Sequence, residues 1–214
     1  MSPDVKFCGL TRAADAAAAG ALGARYAGVV FAGGPRAISP AAAAALLADL
    51  PPAVGRVGVF GAVSASEVVA TAEAGRLTAV QLHADPTAED VQDVRRLWVG
   101  ELWVAVRCEG NTLPESAAAL FRLADAVVLD ARVPGQLGGT GVPLAWGALR
   151  DAVDALRGRC RLVLAGGLTP DNVAEAVRAL APDVVDVSSG VEATPGIKDH
   201  ARMRAFAAAA RNGA

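Results

Sequence analysis

Eight short apolar runs, separated by longer helix-favouring stretches, constrain the fold of this 214-residue chain more than any other feature of its sequence. Each run is almost continuously apolar, which is typical of strands buried on both faces in a parallel sheet, whereas the strands of an antiparallel sandwich alternate. The runs are VKFCGL from Val5, YAGVVFA from Tyr26, RVGVFG from Arg56, AVQLHA from Ala79, LWVAVRC from Leu102, AVVLDA from Ala126, RLVLAGGL from Arg161 and VVDVSSGV from Val184.

The stretches between the runs are rich in helix formers, and several open with Ser, Thr or Asp as a candidate N-cap. Six stand out: TRAADAAAAGALG, SPAAAAALLADL, SASEVVATAEAG, DPTAEDVQDVRRLW, PLAWGALRDAVDALRG and TPDNVAEAVRAL. The alternation shows no break in composition, so we predict one catalytic domain over residues 1–214. We predict an α/β fold, a single (β/α)8 TIM barrel with parallel strands. Periodicity alone leaves an open doubly wound sheet as the alternative, but eight strands is the number that closes a barrel.

Composition narrows the class of protein and its partners. With 53% hydrophobic and 20% charged residues, the chain can bury a continuous core. Its formal charge of -2 provides no broad basic surface, so we expect neither nucleic acid nor a membrane as a partner. The N-terminus resembles no signal peptide and no apolar stretch reaches eighteen residues, so a cytoplasmic location is expected.

The three cysteines are widely spaced, form no CxxC pair and are accompanied by only two histidines, so we expect no metal site. Without a signal peptide the thiols should stay reduced. For Cys108 and Cys160 we expect inert thiols buried in the core. Cys8 differs because it stands where the first apolar run ends.

A barrel of this class builds its active site at the C-terminal ends of its strands. The polar, reactive and glycine residues at those ends of the predicted strands should therefore converge on one mouth. They are Cys8, Arg36, Gln81, His83, Asp130, Gly166, Gly167, Asp186, Ser188, Ser189 and Gly190.

Three glycine-rich pieces are candidates for binding a phosphate group. They are GGTG, which contains Gly139 and Gly141, AGGL, which contains Gly166 and Gly167, and SSG, formed by Ser188, Ser189 and Gly190. Each piece alone is equally consistent with a turn that needs glycine. Because AGGL and SSG follow adjacent strands, their exposed backbone N–H groups together predict a phosphate site, with the helix of DNVAEAV pointing its N-terminus towards it.

Cys8 and Asp130 are the candidate proton-transfer residues. A thiol at the barrel mouth can accept a proton if nearby positive charge, from Lys6, Arg36 or helix N-termini, lowers its pKa. Asp130 follows three apolar residues on a strand expected to be buried, where an unpaired charge is costly. Because burial favours the protonated form of a carboxyl group, Asp130 can serve as a general acid, unless it is a structural ion pair or caps the following loop.

Three further residues are candidates for supporting roles in the site. Arg36 lies in the Gly- and Pro-rich loop FAGGPRAISP, where its guanidinium can hold a carboxylate through two parallel hydrogen bonds or simply be solvated. Asp186 precedes the SSG loop and can orient its amides or Arg36. His83 is a catalytic candidate or, equally, a barrel-lining histidine satisfied by its neighbours.

The chain contains the motifs KFCGLT, FAGGPRAIS, RVGVF, VQLH, VVLDA with GGTG, LAGGLTPDNV and VDVSSGVEATPGIKD. In their order and spacing, these motifs resemble those of the phosphoribosylanthranilate isomerase family over nearly the whole chain. The set formed by KxCGxT, VDVSSGVE and PGxKD is specific, whereas AGGL alone is common to many phosphate-binding barrels. Three departures stand out: Ala84 follows VQLH where glycine is common, Arg107 stands near a usual lysine, and VPLAW replaces an FDW-containing segment.

The resemblance implies the Amadori rearrangement of N-(5-phosphoribosyl)anthranilate to 1-(2-carboxyphenylamino)-1-deoxyribulose 5-phosphate in tryptophan biosynthesis, without a cofactor. It implies that Asp130 is the general acid and Cys8 the general base. Arg36 would bind the anthranilate carboxylate, and the AGGL and SSG loops the phosphate. The expected partner is this phosphorylated small molecule, and the expected assembly is a monomer or a homodimer.

Two alternatives remain at the level of sequence. One is a related phosphosugar barrel isomerase that acts on the aminoimidazole substrate of the histidine pathway, or on both substrates. That type pairs two aspartates, and Cys8 in place of the first favours the anthranilate substrate. The other is a catalytically inert barrel that binds a phosphorylated metabolite. The joint presence of Cys8, Asp130 and Arg36 argues against this alternative.

Overall fold

Eight parallel strands close into a barrel in the computed structural model of the protein, which describes residues 2–110, 112–131 and 146–213. Each strand pairs with the next, and the last pairs with the first through Lys6 opposite Asp186 and Phe7 opposite Val187. This closure confirms the barrel and excludes the open doubly wound sheet. The strands are β1 (Asp4–Phe7), β2 (Tyr26–Val30), β3 (Gly55–Phe60), β4 (Ala79–Leu82), β5 (Glu101–Cys108), β6 (Ala126–Ala131), β7 (Arg161–Leu164) and β8 (Val184–Val187).

Helices follow the strands on the outside of the barrel. They are α1 (Ala13–Ala21), α2 (Pro40–Leu46), α3 (Ala65–Ala74), α4 (Ala88–Leu97), α5 (Ala117–Leu123), α6 (Trp146–Arg157), α7 (Val173–Leu180) and α8 (His200–Asn212). Six of these fall in the predicted helical stretches, and α5 and α8 are additional. Ser64 and Thr87 form capping boxes with the acidic residue three positions later, which explains why α3 and α4 begin where they do.

The core has two layers that follow from the alternation of side chains along each strand. The larger layer packs outward-facing strand residues against the helices, and the smaller fills the barrel interior. In the interior, Tyr26 and Trp103 meet edge to face with ring centroids 4.7 Å apart. Arg161 lies over both rings and pairs with Glu101 at 2.7 Å. These four side chains fill the barrel interior near the N-terminal ends of the strands.

The segment after β8 is more elaborate than a simple turn into a helix. The apolar run from Val184 stays a strand only to Val187, and Ser189–Val191 form a short 3-10 helix. A small antiparallel hairpin follows, made of β9 (Glu192–Thr194) and β10 (Ile197–Lys198), before α8 begins. The sequence analysis did not predict this hairpin, because its strands are only three and two residues long.

Across the described residues, the helices are too short or too polar for any of them to cross a lipid bilayer.

Candidate active site

A pocket opens at the C-terminal ends of the strands, where the sequence predicts the active site. Every predicted site residue in the described part of the chain lines it, as does Gln81, which the sequence analysis placed at the same mouth. Gly139 and Gly141 of the GGTG piece lie outside the described residues. The predicted residues that line the pocket are Cys8, Arg36, His83, Asp130, Gly166, Gly167, Asp186, Ser188, Ser189 and Gly190.

Cys8 lies directly after β1 with only 8% of its surface exposed, and its backbone N–H donates to Val187 across the β1–β8 seam. Burial raises the pKa of the Cys8 thiol, the Lys6 and Lys198 ammonium groups oppose this, and Asp186 reinforces it. Taken together, these effects raise the pKa of Cys8 above its ordinary value. The condition set in the sequence analysis, a Cys8 pKa lowered by nearby positive charge, is therefore not met, because desolvation outweighs the two cations.

Lys6 is fully buried inside the barrel, two residues before Cys8 and on the same face of β1. Its Nζ donates to Oδ2 of Asp186 at 2.7 Å and to Oε1 of Gln81 at 2.9 Å. Burial lowers the pKa of Lys6, but Asp186 and Cys8 hold it above its ordinary value. Gly28 makes room for this arrangement, since a Cβ there would lie 3.0 Å from Cys8 Sγ and 3.1 Å from Lys6 Cε.

A chain of polar contacts leads from Lys6 to Asp130 on the other side of the pocket. Because an ammonium group can only donate, Lys6 fixes the amide of Gln81 with its oxygen towards Lys6 and its nitrogen towards His83. Nε2 of Gln81 lies 3.2 Å from Nδ1 of His83, so Nδ1 accepts and the ring proton is assigned to Nε2. That Nε2 lies 3.3 Å from Oδ2 of Asp130. His83 therefore presents a donor to the candidate acid.

Arg36 has a protein partner that the sequence analysis did not foresee. Its Nε donates to Oε1 of Glu192 at 2.8 Å and its Nη2 to Oε2 at 2.7 Å, so one edge of the guanidinium is taken. Asp186 does not orient Arg36; it pairs with Lys6, because its strand neighbour across the β1–β8 seam is Lys6. Oδ1 of Asp186 is buried without a hydrogen-bond partner among the described residues, and the residue itself lines the pocket.

The AGGL loop after β7 has the backbone shape of an anion site. Gly166 and Gly167 have φ of 80° and 67°, in the left-handed region that favours glycine. Their N–H groups make no hydrogen bond to any described residue, so both remain available to a ligand. Asn172 holds the loop, since its Oδ1 accepts from Thr169 N at 2.8 Å and its Nδ2 donates to Gly167 O at 2.9 Å. Two successive N–H groups in such a turn form an anion-binding concavity.

The SSG loop after β8 packs directly against the AGGL loop. A Cβ on Gly190 would overlap the carbonyl oxygen of Leu168 and lie 3.3 Å from Cα of Thr169. Lys198 donates to Ser188 O at 3.0 Å and lies 3.4 Å from Ser188 Oγ, which ties the loop to the hairpin. The two predicted phosphate loops therefore form one unit, held together at Gly190.

Replacing Gly190 with alanine is expected to disturb both loops. Relieving the overlap with backbone atoms requires a shift of the segment after β7, so we expect the free energy of unfolding to fall by about 1–3 kcal/mol and the affinity for inorganic phosphate to drop. Gly147→Ala is the matched control, because Gly147 lies in α6 with nothing within 4 Å of an added Cβ. Denaturant unfolding and phosphate titration measure both effects. Equal behaviour of the two variants would contradict the close approach.

The other two cysteines and Arg107 lie away from the pocket lining. Burial raises the pKa of Cys108 to about 12 and that of Cys160 to about 11, as expected of inert core thiols. Arg107 forms a two-pronged contact with Asp85, with Nε 2.7 Å from Oδ1. Its charge therefore supports the loop after β4.

The sequence analysis did not predict the contacts that four side chains of this region make. Lys6 and Gln81 carried a weak signal, since both are polar residues within short, otherwise apolar strands. Glu192 and Lys198 had no signal of their own beyond the motif VEATPGIKD. Their burial, at 6% and 3% exposed, depends on a hairpin too short to predict.

Comparison with known proteins identifies the family of the chain. A model of the family described as N-(5'phosphoribosyl)anthranilate (PRA) isomerase matches residues 5–209 of the chain. A protein named N-(5'-phosphoribosyl)anthranilate isomerase from Pseudomonas aeruginosa (strain UCBPP-PA14) is 43% identical over 209 residues, which cover 97% of this chain and 95% of the relative.

Solved structures agree in fold over the full length. The crystal structure of phosphoribosyl anthranilate isomerase from Thermotoga maritima has a TM-score of 0.88 and 34% identity, covering 98% of this chain and 99% of that one. A phosphoribosyl anthranilate isomerase in complex with reduced 1-(o-carboxyphenylamino)-1-deoxyribulose 5-phosphate has a TM-score of 0.83 and 33% identity, with 98% and 99% covered.

Proposed function

The chain belongs to the N-(5'-phosphoribosyl)anthranilate isomerase family, and we propose that it performs this family's reaction with Asp130 as general acid and Cys8 as general base. The protein is an isomerase of tryptophan biosynthesis that converts N-(5-phosphoribosyl)anthranilate to 1-(2-carboxyphenylamino)-1-deoxyribulose 5-phosphate. The observation that carries the assignment of roles is the convergence of a thiol, a carboxyl group, a guanidinium and two glycine loops on one pocket.

In the first step, Asp130 donates a proton to the furanose ring oxygen. The bond from that oxygen to the anomeric carbon breaks, and the nitrogen lone pair forms the protonated Schiff base. Asp130 leaves this step as a carboxylate, and His83 Nε2, 3.3 Å from Oδ2, faces the charge that develops. A donor aimed at developing charge in a buried site stabilises the transition state because it needs no reorganisation.

In the second step, the Cys8 thiolate removes the proton from the neighbouring sugar carbon. The electrons of that C–H bond form the double bond of the enolamine and neutralise the nitrogen, and tautomerisation gives the ketose. Because the Cys8 pKa is raised, the thiolate is a minority species at neutral pH and its fraction grows as the pH increases. The cationic Schiff base adds positive charge to the pocket and thereby favours the thiolate.

The ends of the substrate are held by the groups that surround this pair. The N–H groups of Gly166 and Gly167, together with the SSG loop, bind the phosphate group. Arg36 binds the carboxylate of the anthranilate ring. The solved relative in complex with a reduced, phosphorylated carboxyphenylamino compound supports a ligand with both anions. A cytoplasmic location, the absence of a cofactor and the choice between monomer and homodimer stay predictions from the sequence. A relative from Thermotoga maritima is described as dimeric.

Turnover of freshly generated N-(5-phosphoribosyl)anthranilate tests the proposal directly. We expect the anthranilate fluorescence to decay on addition of catalytic amounts of the protein, with inorganic phosphate and anthranilate each acting as a weak inhibitor. The aminoimidazole substrate of the histidine pathway should turn over far more slowly, because it leaves the Arg36 site unmatched. Preferred turnover of that substrate by the folded protein would overturn the assignment.

A further inference from the structure

We propose that Glu192 and Lys198 are positioning residues that present one edge of the Arg36 guanidinium to the carboxylate of the substrate. The inference rests on the proposed function, in which Arg36 binds that carboxylate. It adds two residues from the hairpin after β8 to the determinants of substrate specificity. Neither residue lines the pocket, so each acts through Arg36.

The first step of the argument is the geometry of the guanidinium. A guanidinium has two edges that can each hold a carboxylate through two parallel hydrogen bonds, one formed by Nε and Nη2 and one by Nη1 and Nη2. Glu192 occupies the first edge at 2.8 Å and 2.7 Å. Nη1 makes no hydrogen bond to any described residue. The second edge is therefore the one available to a ligand, and Glu192 fixes its direction.

The second step concerns charge. An isolated pair of Arg36 and Glu192 has no net charge and would attract a second carboxylate weakly. Nζ of Lys198 lies 2.9 Å from Oε1 of Glu192, so two cations share one anion and a net positive charge remains while Lys198 is protonated. Burial lowers the pKa of Lys198, and the hydrogen bond to Glu192 opposes this effect. Burial would raise the pKa of Glu192, but hydrogen bonds from Arg36 and Lys198 lower it to about 2. Glu192 thus stays ionised throughout the working pH range.

The third step is the rigidity of the hairpin that carries both residues. The backbone N–H of Lys198 donates to Oδ2 of Asp15 at 3.2 Å, and Asp15 is fully buried at the start of α1. The hydroxyl of Thr11 donates to the carbonyl oxygen of Gly196, and Gly196 N donates back to Oε1 of Glu192 at 3.3 Å. The hairpin is therefore held against the segment after β1, and Glu192 cannot move without breaking several hydrogen bonds.

These features together describe a preorganised receptor for a carboxylate. In a flexible site, ordering a long arginine side chain costs entropy when the ligand binds, and here Glu192 has already ordered it. The arrangement also restricts the approach direction, because a carboxylate must lie in the guanidinium plane to form both bonds. A neutral or tetrahedral group gains little from the same edge. Glu192 and Lys198 therefore raise the preference for a planar carboxylate over an uncharged substituent at that position.

The test compares two ligands that differ only at the aromatic ring: reduced 1-(2-carboxyphenylamino)-1-deoxyribulose 5-phosphate and its counterpart without the carboxylate. Dissociation constants are measured for the wild-type protein, Glu192→Gln and Lys198→Met. We expect the wild type to bind the carboxylated ligand more tightly, and each variant to lose about tenfold of that preference. Affinity for the ligand without the carboxylate should change less than about twofold, and KM should rise more than kcat falls.

The control is Glu73→Gln, which removes a charge from an exposed position on α3 and should leave both affinities unchanged. If both hairpin variants weaken the two ligands equally, the residues only support the fold and the inference is overturned. If the variants keep the full preference for the carboxylate, the inference is also overturned, while the role of Arg36 stands. A wild-type protein that binds both ligands equally would overturn the role of Arg36 itself. Glu192→Asp, which keeps the charge but shortens the side chain, should lose the preference as well.

Discussion

Asp130→Asn is expected to lower kcat by about a hundredfold to ten-thousandfold, because the amide keeps the shape of the carboxyl group but has no proton to transfer. The uncatalysed opening of the furanose ring then limits the rate. KM should change little, since neither the phosphate loops nor Arg36 contacts this position in the proposed scheme. Steady-state kinetics that follow the fluorescence of N-(5-phosphoribosyl)anthranilate give both constants.

Asp151→Asn is the matched control for the loss of a carboxylate, because Asp151 is exposed on α6 and far from the pocket lining. It should retain full activity. A melting temperature for Asp130→Asn within a few degrees of the wild type shows that the fold survives. Activity within tenfold of the wild type in the folded Asp130→Asn variant would remove Asp130 from the acid role and direct attention to His83.

Cys8→Ala is expected to reduce kcat by a similar factor of about 10² to 10⁴, because the variant lacks the thiolate that takes the sugar proton in the proposed scheme. Ring opening by Asp130 should still take place in this variant. The ring-opened Schiff base bound to Cys8→Ala should therefore be trapped by reduction with borohydride. The Asp130→Asn variant should give no such trapped product.

Cys160→Ala serves as the control for the loss of a buried thiol. Cys160 is also buried, its pKa is also raised, and it lies at the opposite end of the barrel, just before β7. We expect its activity to equal that of the wild type, with a small loss of stability from the cavity. Retention of wild-type turnover by a folded Cys8→Ala variant would contradict the assignment of the base.

The fold could be read from the sequence because its signal is local and repeated. A run such as VVLDA is too apolar for a half-exposed strand, and its acidic residue, Asp130, is buried with the rest of the strand. The helices α3 and α4 begin at the Ser64 and Thr87 boxes that the sequence displays. Barrel closure depends on the pairing of β1 with β8, residues that are far apart in the chain, and periodicity alone does not determine it.

The site was predictable where a residue type and its place at a strand end were sufficient, as for Cys8 and Asp130. It was not predictable where a side chain depends on partners from distant strands. Lys6 meets Gln81 and Asp186 across the barrel interior, and the pKa of Cys8 follows from the balance between their charges and burial. The partner of Arg36 lies 156 positions later in the chain, in the hairpin. The AGGL and SSG loops show the opposite case, since glycine at adjacent strand ends already indicates their packing.

The contact between Gly190 and the carbonyl of Leu168 joins the two phosphate loops, and the same chain segment continues into the hairpin that carries Glu192 and Lys198. In the proposed scheme, residues 188–198 therefore contribute to both the phosphate site and the carboxylate site. We expect the spacing between these two sites to favour ligands of one length, in addition to favouring ligands with two anions. A displacement of this segment should weaken the binding of both ends of the substrate together.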